Sequence, residues 1–208
     1  MDRNKAAHKL KNFGPVYYLN LDEQPERKIY MEAQFKYWEI ENYERISAYD
    51  GREDDLSDII KGRYPDHMSS GEVGCTTSHL KAIRHWLDTS DSPYAVIMED
   101  DCSLDLVSYW NFTWNDFYAK VPYDWDVVQI AVICTGDVNI KIHKRFVNEF
   151  STACYIITRH HAEKMMKLHW RGKDKYRLDN GVRPRPVADG WRKLKGGGRF
   201  HGWRTVWR

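Results

Sequence analysis

A short apolar run that ends in three acidic residues restricts the fold of this chain more than any other feature. Tyr94 to Met98 contains no charged residue, and Glu99-Asp100-Asp101 follows at once. Such a run predicts a buried strand, and the acids then emerge at its carboxyl end. Open α/β sheets bind ligands beyond the carboxyl ends of their strands. The feature therefore predicts an α/β sheet with a ligand site at this edge.

Strand and helix patterns alternate along the rest of the chain. Asp22 is the expected N-cap of the first helix, and Thr76 or Thr77 that of the second. Alternation of this kind favours one α/β domain with a mostly parallel central sheet. The predicted strands cover 15–20, 94–98, 126–133 and 153–158, and the predicted helices run to about 38, from 76 or 77 to about 90, and from 160 to 169, with a loop over 50–71.

Charge and composition limit the classes of function. The chain of 208 residues carries 32 Lys and Arg against 30 Asp and Glu, a formal net charge of +2. No global field therefore attracts nucleic acid. Aromatic residues make up 14% of the chain. Their rings suit stacking on sugars, and packing in a protein core is the more frequent alternative.

The N-terminal segment and the cysteines favour a cytoplasmic location. Residues 1–14 are polar and basic, so they predict no secretory signal. No run approaches the roughly 18 apolar residues that a membrane span needs. Cys75, Cys102, Cys134 and Cys154 are far apart in the chain, and we expect all four to be reduced thiols.

The acidic triplet by itself has two interpretations of equal weight. Three neighbouring carboxylates are costly unless a cation or several hydrogen-bond donors neutralise them. A divalent ion that bridges carboxylate and diphosphate oxygens would do so. The alternative is a solvated acidic turn that caps the next segment of the chain.

Six short motifs around the triplet follow the order seen in a known enzyme family. In chain order they are Asn20-Leu-Asp22 with Arg27, Ala48-Tyr-Asp-Gly51, Gly71-Glu-Val-Gly-Cys-Thr-Thr-Ser-His79, Glu99-Asp100-Asp101, Ser151-Thr-Ala-Cys-Tyr155 and Pro186-Val-Ala-Asp189. The set resembles glycosyltransferase family 25, which includes bacterial lipopolysaccharide and lipooligosaccharide galactosyltransferases and the collagen galactosyltransferases. The resemblance covers roughly residues 15–189.

The resemblance implies a fold, a reaction and a cofactor. The family has a GT-A fold, an α/β sheet that binds a nucleotide-sugar, and its acidic motif holds manganese or magnesium. Its reaction is inverting transfer, usually of galactose from UDP-galactose, to a hydroxyl of a sugar or of hydroxylysine. This chain is then a metal-dependent hexosyltransferase whose partners are a UDP-sugar and a glycan, lipopolysaccharide or hydroxylated acceptor. Its catalytic domain would cover 15–189, between an N-terminal extension, 1–14, and a basic tail, 190–208.

The family motifs also assign roles to particular residues. Asp101, helped by Asp100 or Glu99, is the expected metal ligand, and Asp189 is the expected base that deprotonates the acceptor. Asp189 follows a Pro-Val pair and precedes Gly190. Its alternative role is an ion pair with a nearby arginine. The expected donor-binding residues are Asn20, Arg27, Ser78, His79, Glu99 and Asp100.

Several of these side chains have structural alternatives. Arg27 suits phosphate oxygens, although an arginine in the first turns of a helix is commonly solvated. Ser78 and His79 are expected in the first turn of their helix, where anions are favoured. A lone histidine at that position is more often a structural hydrogen-bonding residue. Glu72 is explained equally well by a bond to the turn at Thr76.

The C-terminal tail raises further classes of function. From Gly190 it carries six Lys or Arg and no acid, and we expect Gly196-Gly-Gly198 to keep it loosely packed. It suits a diphosphate, an anionic acceptor or peripheral contact with a membrane surface. Because this segment is shorter than in the family, the alternative function is a non-catalytic sugar-nucleotide or glycan-binding protein. The near-neutral charge disfavours nucleic-acid binding through the tail.

Overall fold

Strands and helices alternate along the described part of the chain. The computed structural model describes residues 4–62, 68–131 and 151–178, and the backbone of 142–144 and 204–206. The strands are β1 Val16–Asn20, β2 Tyr43–Ser47, β3 Tyr94–Glu99, β4 Val127–Gln129, β5 Ile142–Lys144, β6 Cys154–Thr158 and β7 Arg204–Val206. The helices are α1 Pro25–Tyr37, α2 Ser70–Thr89, α3 Trp114–Tyr118 and α4 Arg159–His169, with 3₁₀ turns at Ala7–Leu10 and Asp105–Tyr109. The predicted α/β class is confirmed.

The seven described strands form one sheet in the order β2-β1-β3-β6-β4-β7-β5. β1 pairs parallel with both β2 and β3. β6 is antiparallel to its two neighbours, β3 and β4. β7 is parallel to β4 and antiparallel to β5. All the described strands except β5 and β6 therefore run in one direction, which confirms the prediction of a mostly parallel sheet.

Hydrophobic clusters lie on both faces of the sheet because successive strand residues point to opposite faces. Tyr18 of β1 belongs to the cluster that contains Phe35 of α1, whereas Tyr17 belongs to the cluster that contains Trp86 of α2. All five residues of β1 are buried, as expected for a strand covered by helices on both sides. The sheet thus separates α1 from α2, and side chains reach the site from each face.

The start of α2 differs from the prediction. Ser69 is the N-cap, and it forms a reciprocal capping box with Glu72, three residues into the helix. The expected N-caps, Thr76 and Thr77, lie inside the helix, where the Thr77 hydroxyl donates to the Val73 carbonyl at 2.7 Å. Ser78 and His79 consequently lie in the third turn rather than the first, so the helix N-terminus does not explain their position.

Asp22 does not cap α1, contrary to the prediction. The N-cap of that helix is Gln24, without a side-chain capping bond. The Asp22 carboxylate instead accepts hydrogen bonds from Arg45 and Ser47 of β2. These two bonds fasten the end of β2, an edge strand that the sequence did not predict, to the segment after β1.

Both ends of the chain contribute to the fold. Leu10 and Phe13 are buried in the α1-side cluster, and the Phe13 ring packs edge-on against Trp114 of α3. At the other end, Arg204–Val206 forms β7 between β4 and β5, so the backbone of these three tail residues belongs to the sheet. The rest of 190–208 lies outside the described residues. Among the described helices, none is long and apolar enough to cross a membrane.

Candidate active site

A cavity of about 280 Å³ opens at the carboxyl ends of β1 and β3. The two strands pair with Leu19 opposite Glu99, so the residues after each strand meet at one edge. This is where open α/β sheets bind ligands. Six of the predicted site residues line the cavity: Asn20, Arg27, Ser78, Glu99, Asp100 and Asp101.

Asp100 links the edge of the sheet to α1. Its Oδ2 accepts a hydrogen bond from Asn20 Nδ2 at 2.8 Å, and its Oδ1 accepts one from Arg27 Nη1 at 2.9 Å. Asp100 is buried, whereas the Arg27 side chain is 48% exposed. The hydrogen bond to Asp100, and the charge of that carboxylate, raise the pKa of Arg27. Arg27 is therefore anchored by its partner, while about half of its side chain stays exposed and the residue lines the cavity.

Asn20 is the buried hub of this network. Besides its bond to Asp100, its amide nitrogen donates to the Gln24 carbonyl at 3.0 Å. Its amide oxygen accepts a hydrogen bond from Arg45 Nε at 2.8 Å. Both N–H groups of the amide are thus engaged within the protein. In the structure Asn20 positions Asp100 and joins β1, α1 and β2, and its contact with a donor stays a prediction.

Glu99 and Asp100 point to opposite faces of the sheet. Met98 belongs to the α1-side cluster, and Ile97 belongs to the α2-side cluster. Because side chains alternate in extended backbone, Glu99 continues the α2 side and Asp100 continues the α1 side. Two adjacent carboxylates are therefore separated into different surroundings.

Glu99 is held by side chains from α2 and from the segment before β6. Its Oε1 accepts a hydrogen bond from His79 Nε2 at 3.1 Å and lies 3.8 Å from Cys75 Sγ. The hydroxyl of Thr152 also donates to this oxygen. On the other side of the imidazole, His79 Nδ1 lies 3.0 Å from the Tyr155 hydroxyl. His79 is buried behind Glu99, so it would influence a bound donor through the Glu99 carboxylate rather than by direct contact.

The surroundings of Glu99 and His79 favour a charged pair. Burial opposes the charge on Glu99, but the hydrogen bond and the charge of His79, with the Thr152 hydroxyl, lower the pKa of Glu99. Burial likewise opposes protonation of His79. The electrostatic influence of Tyr155 and Cys75, with the hydrogen bonds to Cys75 and Glu99, nevertheless raises the pKa of His79 well above its usual value. Both shifts favour a carboxylate beside an imidazolium.

Asp101 is the exposed member of the triplet, and it lines the cavity. Partial burial raises the pKa of Asp101, and the charges of Glu99 and Asp100 raise it further, while Arg27 opposes them. A negative charge on Asp101 is thus less favourable than on an isolated aspartate, and a nearby cation would stabilise it. Asp101 has the surroundings expected of a carboxylate that binds a ligand's positive charge.

Ser78 fastens the segment after β2 to α2. Its hydroxyl donates to the Gly74 carbonyl at 2.7 Å and accepts a hydrogen bond from the Tyr49 backbone N–H at 2.8 Å. A Cβ on Gly74 would lie 2.3 Å from the Gly51 nitrogen, so the two backbones meet where only glycine fits. Ser78 therefore shapes the cavity wall, and its predicted contact with the donor stays a prediction.

The sequence also contains cavity residues to which no role was assigned. Asp50 and Arg52 line the cavity, and both carboxylate oxygens of Asp50 accept hydrogen bonds from the Arg52 side chain. Cys75 lines it too. Asp50 and Cys75 both belong to family motifs quoted above, and this membership is the sequence signal that could have identified them as cavity residues. The predicted base, Asp189, lies outside the described residues.

Two groups of side chains suit metals of different kinds. Asp101 offers carboxylate oxygens at the cavity, and manganese and magnesium prefer such oxygens, completed by those of a substrate diphosphate. Cys75, His79 and Glu99 each offer one ligand atom, and these atoms lie within 4.8 Å of one another. Thiolate and imidazole suit zinc instead.

Comparison with protein families gives a match over most of the chain. Residues 13–179 match the model of glycosyltransferase family 25, which is described as a lipopolysaccharide biosynthesis protein family. No curated protein matches the chain. The family match covers well over half of the 208 residues and includes every motif of the cavity, while Asp189 lies beyond it. The chain belongs to glycosyltransferase family 25.

Proposed function

We propose that the protein transfers a hexose, galactose, from a UDP-sugar to a hydroxyl of a glycan such as a lipopolysaccharide core, with inversion at the sugar carbon. Family membership supports glycosyl transfer between a sugar donor and a glycan acceptor. One observation carries the proposal for this chain: Arg27 and Asp101 both line the cavity at the carboxyl ends of β1 and β3.

A manganese or magnesium ion fits the Asp101 side of the cavity. Both oxygens of Asp100 already accept hydrogen bonds from Asn20 and Arg27, so we assign Asp101 as the principal ligand and Asp100 as an additional one. Magnesium characteristically binds one or two carboxylates together with substrate phosphates. When bound, the ion would stabilise the negative charge that develops on the leaving UDP.

Arg27 is the proposed contact for the donor diphosphate. A guanidinium offers its donors in a planar fork that matches phosphate oxygens. Only Nη1 is used by Asp100, and the half-exposed side chain leaves other N–H groups for a ligand. The ion pair with Asp100 reduces the entropy that Arg27 would lose on binding, because the carboxylate already fixes the head group.

Asp189 is the proposed base that accepts the proton of the acceptor hydroxyl. Inversion requires a base on the face of the sugar opposite the diphosphate, and the metal-binding carboxylates lie on the diphosphate side. The Pro186-Val-Ala-Asp189 segment and its resemblance to the family's late element support this assignment.

The test is transfer from a panel of UDP-sugars to a lipopolysaccharide acceptor, measured beside donor binding. Asp101→Asn should lose metal-dependent turnover, whereas Asp105→Asn, which changes an exposed acid four residues away, should not. Asp189→Asn should keep donor affinity while transfer falls about 10²–10⁴-fold, the usual cost of losing a general base.

Each part of the proposal has its own contradicting result. Full activity in excess chelator would show that no divalent ion takes part. Transfer by Asp189→Asn within a few-fold of the unaltered protein would remove Asp189 as the base. Donor binding with no hydrolysis or transfer for any donor would identify the protein as a non-catalytic sugar-nucleotide-binding member of the family.

We further propose that the protein acts in the cytoplasm and that its basic tail contacts anionic surfaces. The six Lys or Arg from Gly190 onward support the second proposal, because clustered basic residues are attracted to anionic lipid headgroups. Co-sedimentation with vesicles that contain anionic lipid, compared with neutral vesicles, tests it.

A further inference from the structure

Three side chains with metal-binding atoms converge behind the cavity wall. Cys75 Sγ lies 3.8 Å from Glu99 Oε1, and His79 Nε2 lies 3.1 Å from the same oxygen. All three atoms lie within 4.8 Å of one another. Tetrahedral zinc, with bonds of about 2.3 Å to sulfur and 2.0–2.2 Å to nitrogen or oxygen, places its ligand atoms roughly 3.3–3.6 Å apart. The two distances to Glu99 Oε1 are within a few tenths of an ångström of that range.

The fold itself brings these three ligands together. Cys75 and His79 are four residues apart in α2, so they lie on one face of the helix. Glu99 ends β3 and points to the α2 side of the sheet, as argued above from the alternation of Ile97 and Met98. All three ligands therefore belong to regular elements, α2 and β3, and none of them lies in a loop.

The surrounding hydrogen bonds orient two of the three ligands. The Tyr155 hydroxyl lies 3.0 Å from His79 Nδ1, which leaves Nε2 directed at Glu99 and Cys75. The Thr152 hydroxyl donates to Glu99. Zinc-bound histidines characteristically engage their second nitrogen with such a partner, which fixes the ring and its tautomer.

We propose that Cys75, His79 and Glu99 bind one zinc ion, at a site separate from the Asp101 carboxylate. A thiolate and an imidazole select zinc over manganese and magnesium, which prefer oxygen ligands. Cys75 and Glu99 also line the cavity, so the fourth coordination position opens toward it. The proposal goes beyond the transferase function and does not depend on turnover.

Charge and proton balance are consistent with this site. On binding, the Cys75 thiol and the protonated His79 imidazolium each release a proton to solvent, and the Nδ1–H that remains on His79 donates to the Tyr155 hydroxyl. The thiolate, the carboxylate and the dication sum to zero net charge. A neutral cluster suits a position where His79 is buried and Glu99 is largely buried, because burying an uncompensated charge is costly.

Titration of the metal-free protein with Co²⁺ alone, followed by Zn²⁺, tests the proposal. We expect one Co²⁺ per chain with the near-ultraviolet absorption of a cobalt–thiolate bond, and its loss when Zn²⁺ displaces the cobalt. Cys75→Ser should abolish that absorption, whereas Cys102→Ala and Asp101→Asn should retain it. Tyr155→Phe should weaken zinc binding about 10–100-fold, as loss of an orienting partner does at other metal sites.

The same experiment has outcomes that overturn the proposal. The site is refuted if Co²⁺ gives no thiolate absorption, or if the absorption survives Cys75→Ser or disappears with Cys102→Ala. A measurement on the unaltered protein covers the case in which Cys75→Ser does not fold. Zn²⁺ should slow alkylation of Cys75 by iodoacetamide, read by peptide mapping, and an unchanged alkylation rate contradicts the proposal.

Discussion

Gly74 offers the sharpest test of how the cavity wall is built. It lies in the second turn of α2 and faces the backbone of the segment after β2. A Cβ at this position would lie 2.3 Å from the Gly51 nitrogen and 2.7 Å from the Tyr49 carbonyl oxygen. Both neighbours are backbone atoms, so no side-chain rotation relieves the overlap. Gly74→Ala must therefore displace the segment or the helix.

The size of the effect follows from these distances. Non-bonded heavy atoms prefer about 3.5–4.0 Å, so the segment has to retreat by roughly 1 Å. Overpacking of this kind lowers the free energy of unfolding by about 1–3 kcal/mol, and the better helix propensity of alanine offsets up to about 1 kcal/mol of that loss. We expect a net loss of about 1–2 kcal/mol, which lowers Tm by roughly 2–8 °C for a chain of this size.

Gly71 is the matched control in the same helix. A Cβ there meets no atom within 4 Å, so Gly71→Ala should be neutral or stabilising by less than about 1 kcal/mol. Urea unfolding of both variants gives the free energies of unfolding. Gly74→Ala should also weaken UDP binding, measured by calorimetry, because Tyr49 and Gly51 line the cavity. Equal stability of the two variants would refute the close packing of these backbones.

Three further predictions concern the network, the pH dependence and the thiols. A double-mutant cycle of Arg27→Gln and Asp100→Asn should give a coupling of about 0.5–1.5 kcal/mol in urea unfolding, reduced by the exposure of Arg27, and a coupling near zero contradicts the anchoring of the guanidinium. Burial lowers the pKa of His169, although its hydrogen bond to the Arg177 carbonyl opposes that shift. The unfolded chain therefore binds more protons than the folded one below about pH 6.5, and the free energy of unfolding falls as the pH falls. His169→Gln should make this decrease shallower, and an unchanged slope would exclude His169 as its cause. In native protein iodoacetamide should modify Cys75 before the two buried described cysteines, and peptide mapping that finds all three equally fast would contradict the burial pattern.

The elements with strong local signals were predictable from the sequence. β1, β3 and β6 are continuous apolar runs, and their observed bounds lie within one residue of the predicted ones. β2 was missed because Tyr43–Ser47 contributes a single buried residue, Ile46. That strand is stabilised by parallel pairing with β1 along its whole length, an interaction between distant parts of the chain that no local pattern records.

The error at α2 has a local cause. Ser69 and Glu72 have the spacing of a capping box, which is a recognisable start signal, but Ser-Ser-Gly equally predicts a loop and the two threonines predict helix caps. Inside a helix, the hydroxyls of Thr77 and Ser78 bond to carbonyls four residues earlier. A threonine or serine after a glycine is thus compatible with a helix interior as well as with a cap.

The acidic triplet shows most clearly what the motif alone does not reveal. Interpreted as one cluster, its three carboxylates are costly unless a common cation or several hydrogen-bond donors neutralise them. In the structure the alternation of side chains sends Glu99 to His79 and Asp100 to Arg27, so two of the three charges have partners within the protein. Asp101 remains exposed at the cavity. The electrostatic cost of the triplet is therefore concentrated on Asp101, whose pKa the neighbouring carboxylates raise, and a ligand cation would be favoured there rather than at the group as a whole.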